Sequence, residues 1–503
     1  MPLKPIVLKG EQKRVLFLQV NDPIQIKGVA GSGKTTVALY RAKHLIDTQS
    51  NLFQEAKVAI FTYNKTLVKY INAIIPHISG GYQQNSDEIN PINPNGIDVN
   101  VTNFHKWAYR FIEQNGIALS KIININGNQK RVFKTISGKV QKEILTTLKS
   151  RYSTQSIANK TIDFFLEEIS WMKGKGIQSK EEYLAIKRTG RGTNDRVTKE
   201  DKEIIWNIYI EYNAQLKRND QVDFDDYALL CLNILNSNPN FQKPFTHIVV
   251  DEAQDLSKAQ ILVISKIVSD ETKSISIIAD AAQRIYKSGF TWSEVGLNVR
   301  GGRTIEFKKN YRNTIQILNA ALSLLEHEDD KSDFTIVEAT RKGEKKPIVG
   351  YFLNREDQFA CLKEDLNKLR SEGNINSTVI LHRNHIGINK IIMFLIANNF
   401  EVQELTIAED IDFDSDSIKV CTMSSVKGLE FDNVFILDLN DDVIPYPQGI
   451  NDTNDEFHIS TERRLLYTSM TRARERLYLL SSGNPSRYLL EIDDQLLDKV
   501  GQF

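Results

Sequence analysis

The chain has 503 residues, of which 41% are hydrophobic and 25% charged, with 64 Lys and Arg against 64 Asp and Glu. This length exceeds one core and predicts about three folding units. A formal charge of zero excludes a protein drawn to nucleic acid by net charge alone, so any basic groove must be local.

The opening Met1-Pro2-Leu3-Lys4-Pro5 does not read as a signal peptide, and no apolar run has the length of a membrane span. Cys231, Cys361 and Cys421 lie far apart without metal-ligand spacing. They fit a reducing cytoplasm and argue against zinc and iron–sulfur sites. An apolar segment, Pro23-Ile24-Gln25-Ile26, runs into Gly28-Val29-Ala30-Gly31-Ser32-Gly33-Lys34-Thr35, and a helical stretch starts at Thr36. This is G-x-x-x-x-G-K-T in the strand-to-helix context that the phosphate-cradling loop requires. Backbone N–H groups and the helix dipole would face the phosphates. Lys34 would reach the β/γ-phosphates and the Thr35 hydroxyl would ligate Mg²⁺, which predicts binding of a nucleoside triphosphate such as ATP.

Short β-branched runs then alternate with amphipathic helical stretches. They are Lys57–Phe61, His247–Val250, Ser274–Ala279, Ser377–Leu381 and Asn433–Leu437, the pattern of buried parallel strands in an α/β fold. Residues 79–100 read as a surface loop rich in Asn, Gly and Pro. From about 110 to 215 the texture changes to long polar helices, such as Thr161–Met172 and Lys199–Leu216, around a basic segment Lys187–Gly192. This predicts a mostly helical insertion.

The run Ile248-Val249-Val250 ends in Asp251-Glu252-Ala253-Gln254-Asp255. Asp251 would organise the metal's water shell and Glu252 would polarise an attacking water. Gln283, after the next strand, can sense a γ-phosphate, and the arginines of Asn310-Tyr311-Arg312 and Thr471-Arg472-Ala473-Arg474 are candidates to neutralise it.

Taken in order, these segments resemble the UvrD/Rep/PcrA-type superfamily 1 helicases over almost the whole chain. The likeness rests on Glu11-Gln12, the phosphate loop, Thr62–Leu67, Asn103–Trp107, the acidic strand end and Asp280–Tyr286. It continues through Asn310–Asn313, Thr422–Phe431 and Glu462–Ala473. It implies two RecA-like P-loop NTPase domains with parallel sheets and a helical 1B-type insertion. The expected boundaries are 1–110 with 216–300 for domain 1A, 111–215 for 1B and 301–503 for 2A.

The resemblance also implies roles for individual residues. Gln12 would read adenine, Tyr311 would stack on the base and Glu430 would lie near the ribose, beside Gly28, Gly31, Ser32, Gly33, Lys34, Thr35 and Thr36. Arg312 and Arg472 would meet the γ-phosphate, and Gln283 would couple it to the nucleic-acid site. Asn64, Phe104, His105 and Thr422 would line a single-strand track, with Tyr63, Phe290 and Trp292 as candidate base platforms. Ser424 stands where the family has histidine. The interval from Arg312 to Thr422 is too short for the family's large 2B insertion beside the lobe's own strands.

The implied activity is ATP-driven movement on single-stranded DNA, 3′ to 5′, with RNA left open as the strand. The alternative is a DNA-stimulated ATPase subunit of an anti-phage or repair complex with a separate nuclease or effector partner. No membrane partner is expected.

Overall fold

The computed structural model describes residues 7–50, 56–63, 65–75, 99–117, 119, 133–186, 197–280, 290–328, 337–406, 411–413, 415–446 and 456–501. The expected loop at 79–98, the basic segment at 187–192, Asn64 and Gln283 lie outside the described residues.

In the first lobe β1 (Ile24–Gly28) leads into α1 (Lys34–Gln49). Then come β2 (Val58–Thr62), α2 (Lys65–Ile74), β3 (Asn100–Asn103) and α3 (Phe104–Gln114). Next is the helical unit: β4 (Lys134–Thr135), α4 (Gly138–Ser150), α5 (Ile162–Lys175), α6 (Lys180–Ala185), α7 (Lys199–Arg218) and β5 (Gln221–Val222). Its helix ends carry local signals. Thr161 caps α5 by accepting from the Phe164 N–H, and Gly176 ends it in the left-handed conformation. Thr198 and Asp201 form a reciprocal cap on α7. Phe164, Phe165, Trp171, Tyr183, Trp206 and Tyr212 are buried together in a core separate from that of the sheet.

The chain returns to the first lobe with α8 (Asp226–Ser237), β6 (His247–Val250), α9 (Lys258–Lys266), β7 (Ser274–Ala279) and β8 (Thr304–Phe307). The six strands are parallel in the order β3-β2-β6-β7-β1-β8. Every residue of β2, β6 and β7 is buried, as expected for strands covered on both faces. Two expected limits differ from the observed elements: α3 runs beyond 110, and β8 pairs with β1 beyond 300.

The second lobe contains β9 (Lys309–Thr314), α10 (Ile315–Leu325), β10 (Glu338–Arg341), β11 (Ile348–Tyr351), α11 (Arg355–Ser371), β12 (Thr378–His382) and α12 (His385–Ala397). It continues with β13 (Val402–Glu404), β14 (Ile418–Thr422), β15 (Phe431–Ile436), α13 (Glu456–Met470), β16 (Ala473–Ser481), α14 (Arg487–Glu491) and β17 (Asp498–Gly501). Seven parallel strands take the order β13-β14-β12-β15-β16-β11-β17, while β9 and β10 pair apart from them. β13 pairs directly with β14, so little chain separates the two strands at the place expected for a large insertion. Among the described residues, no helix is long and apolar enough to cross a membrane.

A buried cation ties the helical unit to the first lobe. Lys173 Nζ on α5 lies 2.7 Å from Asp223 Oδ2 and 2.6 Å from Asp226 Oδ1, and the Tyr212 hydroxyl donates to Asp223 Oδ2 at 2.9 Å. Burial alone would weaken the Lys173 ammonium, but the two carboxylates outweigh it and push its pKa up to about 12. Lys173→Met should lower stability by roughly 3–5 kcal/mol, because it leaves a buried charge without its partner. Chemical denaturation should show an earlier unfolding midpoint; a midpoint equal to that of the wild type would rule this anchor out.

Candidate nucleotide and catalytic site

The strand order sets β6, β7 and β1 side by side, so the segments leaving their carboxyl ends converge. Open α/β sheets bind ligands at that edge. The loop after β1 bends through Gly31 (φ 69°) and Gly33 (φ 79°), a left-handed backbone that favours glycine. Lys34 Nζ donates to the Gly28 and Val29 carbonyls, both at 3.0 Å, and to Asp280 Oδ2 at 2.9 Å. Thr35 Oγ1 donates to Asp251 Oδ2 at 2.9 Å. The Ser32 hydroxyl is buried in this loop with no hydrogen-bond partner among the described residues. Thr36 lies half-buried on the next position of α1.

Asp251 and Glu252 are both buried at the end of β6. Burial, then the neighbouring Glu252 charge, push the Asp251 carboxyl above the usual carboxylate range. Burial would raise Glu252 as well, but the charges of Lys427, Lys34 and Arg472 overcome it and hold Glu252 ionised. Glu252 also adopts a left-handed backbone (φ 55°), which is strained for a glutamate. Gln254 Nε2 donates to Glu252 Oε2 at 2.5 Å, and Gln254 Oε1 accepts from the Asp280 N–H at 3.1 Å.

The second lobe closes over this edge. Lys427 Nζ lies 3.2 Å from Glu252 Oε2 and also pairs with Asp255. The Tyr311 N–H donates to the Gly31 carbonyl at 2.9 Å, and Asn310 Nδ2 donates to the Ala30 carbonyl at 2.9 Å. Asn313 Nδ2 reaches the Thr471 carbonyl at 3.0 Å, which fixes β9 to the segment carrying Arg472. Arg312 Nε pairs with Glu430 Oε2 at 2.6 Å, and Tyr70 of the first lobe donates to Glu430 Oε1 at 3.4 Å. Burial would raise the Glu430 carboxyl, yet Arg312 and then Arg474 hold it down to about 2. Arg472 is 1% exposed; burial first, then the Arg312 charge, lower it to about 9.

Gln12 is 4% exposed, and its amide accepts from the Lys9 N–H at 2.7 Å and donates to the Ser32 carbonyl at 2.6 Å. It therefore braces the loop through the same amide expected to read adenine. The Tyr311 hydroxyl accepts from the Glu11 N–H at 3.4 Å.

The residues expected along a strand track divide by burial. Tyr63 follows β2 and is half-buried, and His105 lies in the first turn of α3 beside Phe104, Phe224 and Tyr227. Phe104 is a correction: at 1% exposure it sits in the first lobe's core, where it supports His105 and offers no face to a strand. Phe290 and Trp292 are half-buried, packed edge-to-face against each other at 5.5 Å and resting on that same core. Thr422, at the end of β14, is buried, and its hydroxyl pairs with those of Ser424 (3.1 Å) and Ser425 (2.9 Å).

Several contributors escaped the sequence reading. Lys427, Asp255, Asp280, Asn310 and Asn313 sit inside the motifs, but no spacing rule says that Lys427 meets Asp255 and Asn310 meets Ala30 across lobes, or that Asp280 takes Lys34 and Asn313 takes the Thr471 carbonyl within them. Phe224 is 55% exposed, 5.7 Å from the His105 ring. Its signal was an aromatic flanked by acids in Asp223-Phe224-Asp225.

Residues 8–293 match the model of the UvrD/REP helicase N-terminal domain, and residues 305–407 and 401–484 match that of the UvrD-like helicase C-terminal domain. The chain belongs to the UvrD/REP helicase family. Similar proteins include the ATP-dependent DNA helicase PcrA of Staphylococcus epidermidis, 24% identical over 72% of this chain and 46% of that one. PcrA of Leuconostoc citreum is 25% identical over 69% of this chain and 43% of that one. This UvrD/REP family member thus spans less than half the length of either relative. A crystal structure of the C-terminal domain of a possible DNA helicase from Lactobacillus plantarum WCFS1 is 23% identical, covering 38% of this chain and 98% of that one, with a TM-score of 0.29.

An added Cβ at Gly31 would meet the Asn310 side chain at 2.5 Å, in a conformation that costs an L-residue roughly 1–2 kcal/mol. Gly31→Ala should therefore weaken nucleotide affinity about tenfold or more in a fluorescent-ATP titration. An unchanged dissociation constant would contradict this reading of the loop.

Proposed function

We propose that the protein is an ATP-dependent motor that moves on single-stranded DNA, with ATP held at the seam between the lobes. The observation that carries this reading is the convergence of Lys34, Asp251 and Glu252 with Arg312, Arg472 and Lys427 from the second lobe. In this scheme the loop N–H groups, the Ser32 hydroxyl and Lys34 hold the phosphates. Glu252, kept ionised by its cationic neighbours, orients and accepts a proton from the attacking water. Arg312 and Arg472 neutralise charge developing on the γ-phosphate, a contribution that can reach about 10³–10⁵ in rate.

Magnesium suits the pairing of Thr35 Oγ1 with Asp251 Oδ2, since a hydroxyl and a carboxylate are the hard oxygen donors it takes. When bound, it would neutralise phosphate charge. The residues assigned to adenine, ribose and γ-phosphate sensing are Gln12, Tyr311, Glu430 and Gln283. Domain 1A comprises the first sheet, 1B the helical unit and 2A the second sheet.

The strand path we assign runs past Tyr63, His105, Phe290, Trp292 and Ser424, with Phe224 added as a base platform. Base stacking on such rings contributes about 1–3 kcal/mol each. The direction of movement we propose is 3′ to 5′. A second reading, in which DNA triggers turnover without strand separation, draws on the short interval between β13, ending at Glu404, and β14, starting at Ile418.

The test is an ATPase assay with no nucleic acid, single-stranded DNA or RNA, run beside a tailed-duplex unwinding assay. Single-stranded DNA should stimulate turnover severalfold or more, and Lys34→Ala should abolish it. Stimulation should weaken steeply as salt rises, because phosphate contacts release counterions. Turnover indifferent to every nucleic acid would refute the motor, and stimulation without unwinding would favour the second reading.

A further inference from the structure

The strand that carries Arg312 breaks register with its neighbour. β10 pairs with β9 as Ala339 with Asn310 and then as Arg341 with Thr314, so two steps along β10 span four along β9. Such irregularities bend a strand and re-aim a side chain, often beside a working site. Side chains take over the pairing there. Thr340 Oγ1 donates to the Asn310 carbonyl at 2.5 Å, and Arg341 Nη1 donates to the Arg312 carbonyl. The Arg312 N–H is held in turn by Asn310 Oδ1 at 2.9 Å.

The same guanidinium reaches a second segment. Its Nη1 also donates to the Arg474 carbonyl at 3.3 Å and its Nη2 pairs with Glu475, both at the start of β16. Arg341 thus spans from Arg312 to a point two residues past Arg472. Arg472 is anchored by its own bonds to the Thr468 and Leu429 carbonyls. The Arg312 side chain meets Glu430 at 2.6 Å and the Thr471 carbonyl at 3.5 Å, so its aim depends on where β9 lies against Thr471–Arg474. Asn313 fixes one side of that placement and Arg341 the other. A rigid fork of five donors can serve two carbonyls and a carboxylate at once, which a lysine's point charge cannot.

We propose that Arg341 is a positioning residue for ATP turnover: by holding the Arg312 and Arg474 carbonyls with one guanidinium, it sets Arg312 at the place from which it acts on the γ-phosphate. It touches neither nucleotide nor water and works through Arg312 alone. The inference rests on the motor reading above and adds to it a residue that governs rate without governing affinity.

The experiment compares wild type, Arg341→Met, Arg341→Lys, Arg312→Ala and the Arg312→Ala/Arg341→Met double variant, in the full chain with single-stranded DNA. The Arg341 side chain is 30% exposed, so both of its variants should keep a thermal midpoint close to that of the wild type. Their Kd for a non-hydrolysable ATP analogue should stay within about twofold, since the loss falls on the transition state. Their kcat should fall about tenfold, as for a small misplacement of a catalytic group. Lysine should not rescue it. In the Arg312→Ala background, Arg341→Met should slow hydrolysis by less than about twofold, because the two residues act as one unit. An unchanged kcat, a kcat that falls only together with the thermal midpoint, or a tenfold loss that persists without the Arg312 side chain would overturn the inference and leave the motor reading intact. A wild type without DNA-stimulated turnover would overturn both.

Discussion

Lys427 carries a full positive charge from the second lobe into the carboxylates of the first, and it is 1% exposed where it meets Glu252 and Asp255. Burial alone would strip its proton, but the two acids hold it more tightly than an ordinary lysine's. Removing one partner from such a site leaves an uncompensated charge, which typically costs more than the intact pair contributes. The seam is therefore held by mutual need, and Gly428 next to Lys427 lets Leu67 of the first lobe approach closely. With the lobes so joined, Lys427 and the charge of Arg472 reach Glu252 at the acidic strand end, and Arg312 pairs with Glu430, which Tyr70 of the first lobe also meets.

This region is dense in charge although the chain as a whole has a formal net charge of zero. Lys34, Lys427, Arg312 and Arg472 face Asp251, Glu252, Asp255, Asp280 and Glu430 in a largely water-excluded region. Each protonation state is decided by neighbours more than by solvent. Glu252 stays ionised because three cations surround it, while Asp251, with fewer, is pushed the other way. The left-handed backbone at Glu252 is the kind of strain that a surrounding network can sustain at a working site.

Much of this was legible in the sequence, and the limits have physical causes. The phosphate loop and the acids after Ile248-Val249-Val250 are local signals, because a strand end and a helix start lie within a few residues. The parallel strands could be read because burial on both faces leaves continuous apolar runs. The strand order could not, since nothing in a run such as Ser274–Ala279 says which neighbour it will pair with. For the same reason Lys427 and Asp255 read as motif letters until the fold brought them together. Phe104 was not legible as a core residue because it shares its motif with the candidate His105, while the helix it opens turns its own ring into the core. The reading of 1–110 as a unit ended inside α3 because that stretch has no glycine or proline to mark the limit.

The most direct test of a nucleotide site shared between lobes is Arg472→Ala, with ATP binding and single-turnover hydrolysis measured on the same preparation. Arg472 hydrogen-bonds within its own lobe, to the Thr468 and Leu429 carbonyls, while its charge reaches Glu252 of the other. The shared site requires that ATP still bind and that hydrolysis slow by about a thousandfold, the lower range for an arginine acting on the γ-phosphate. Hydrolysis at the wild-type rate, with binding intact, would mean that the first lobe works alone.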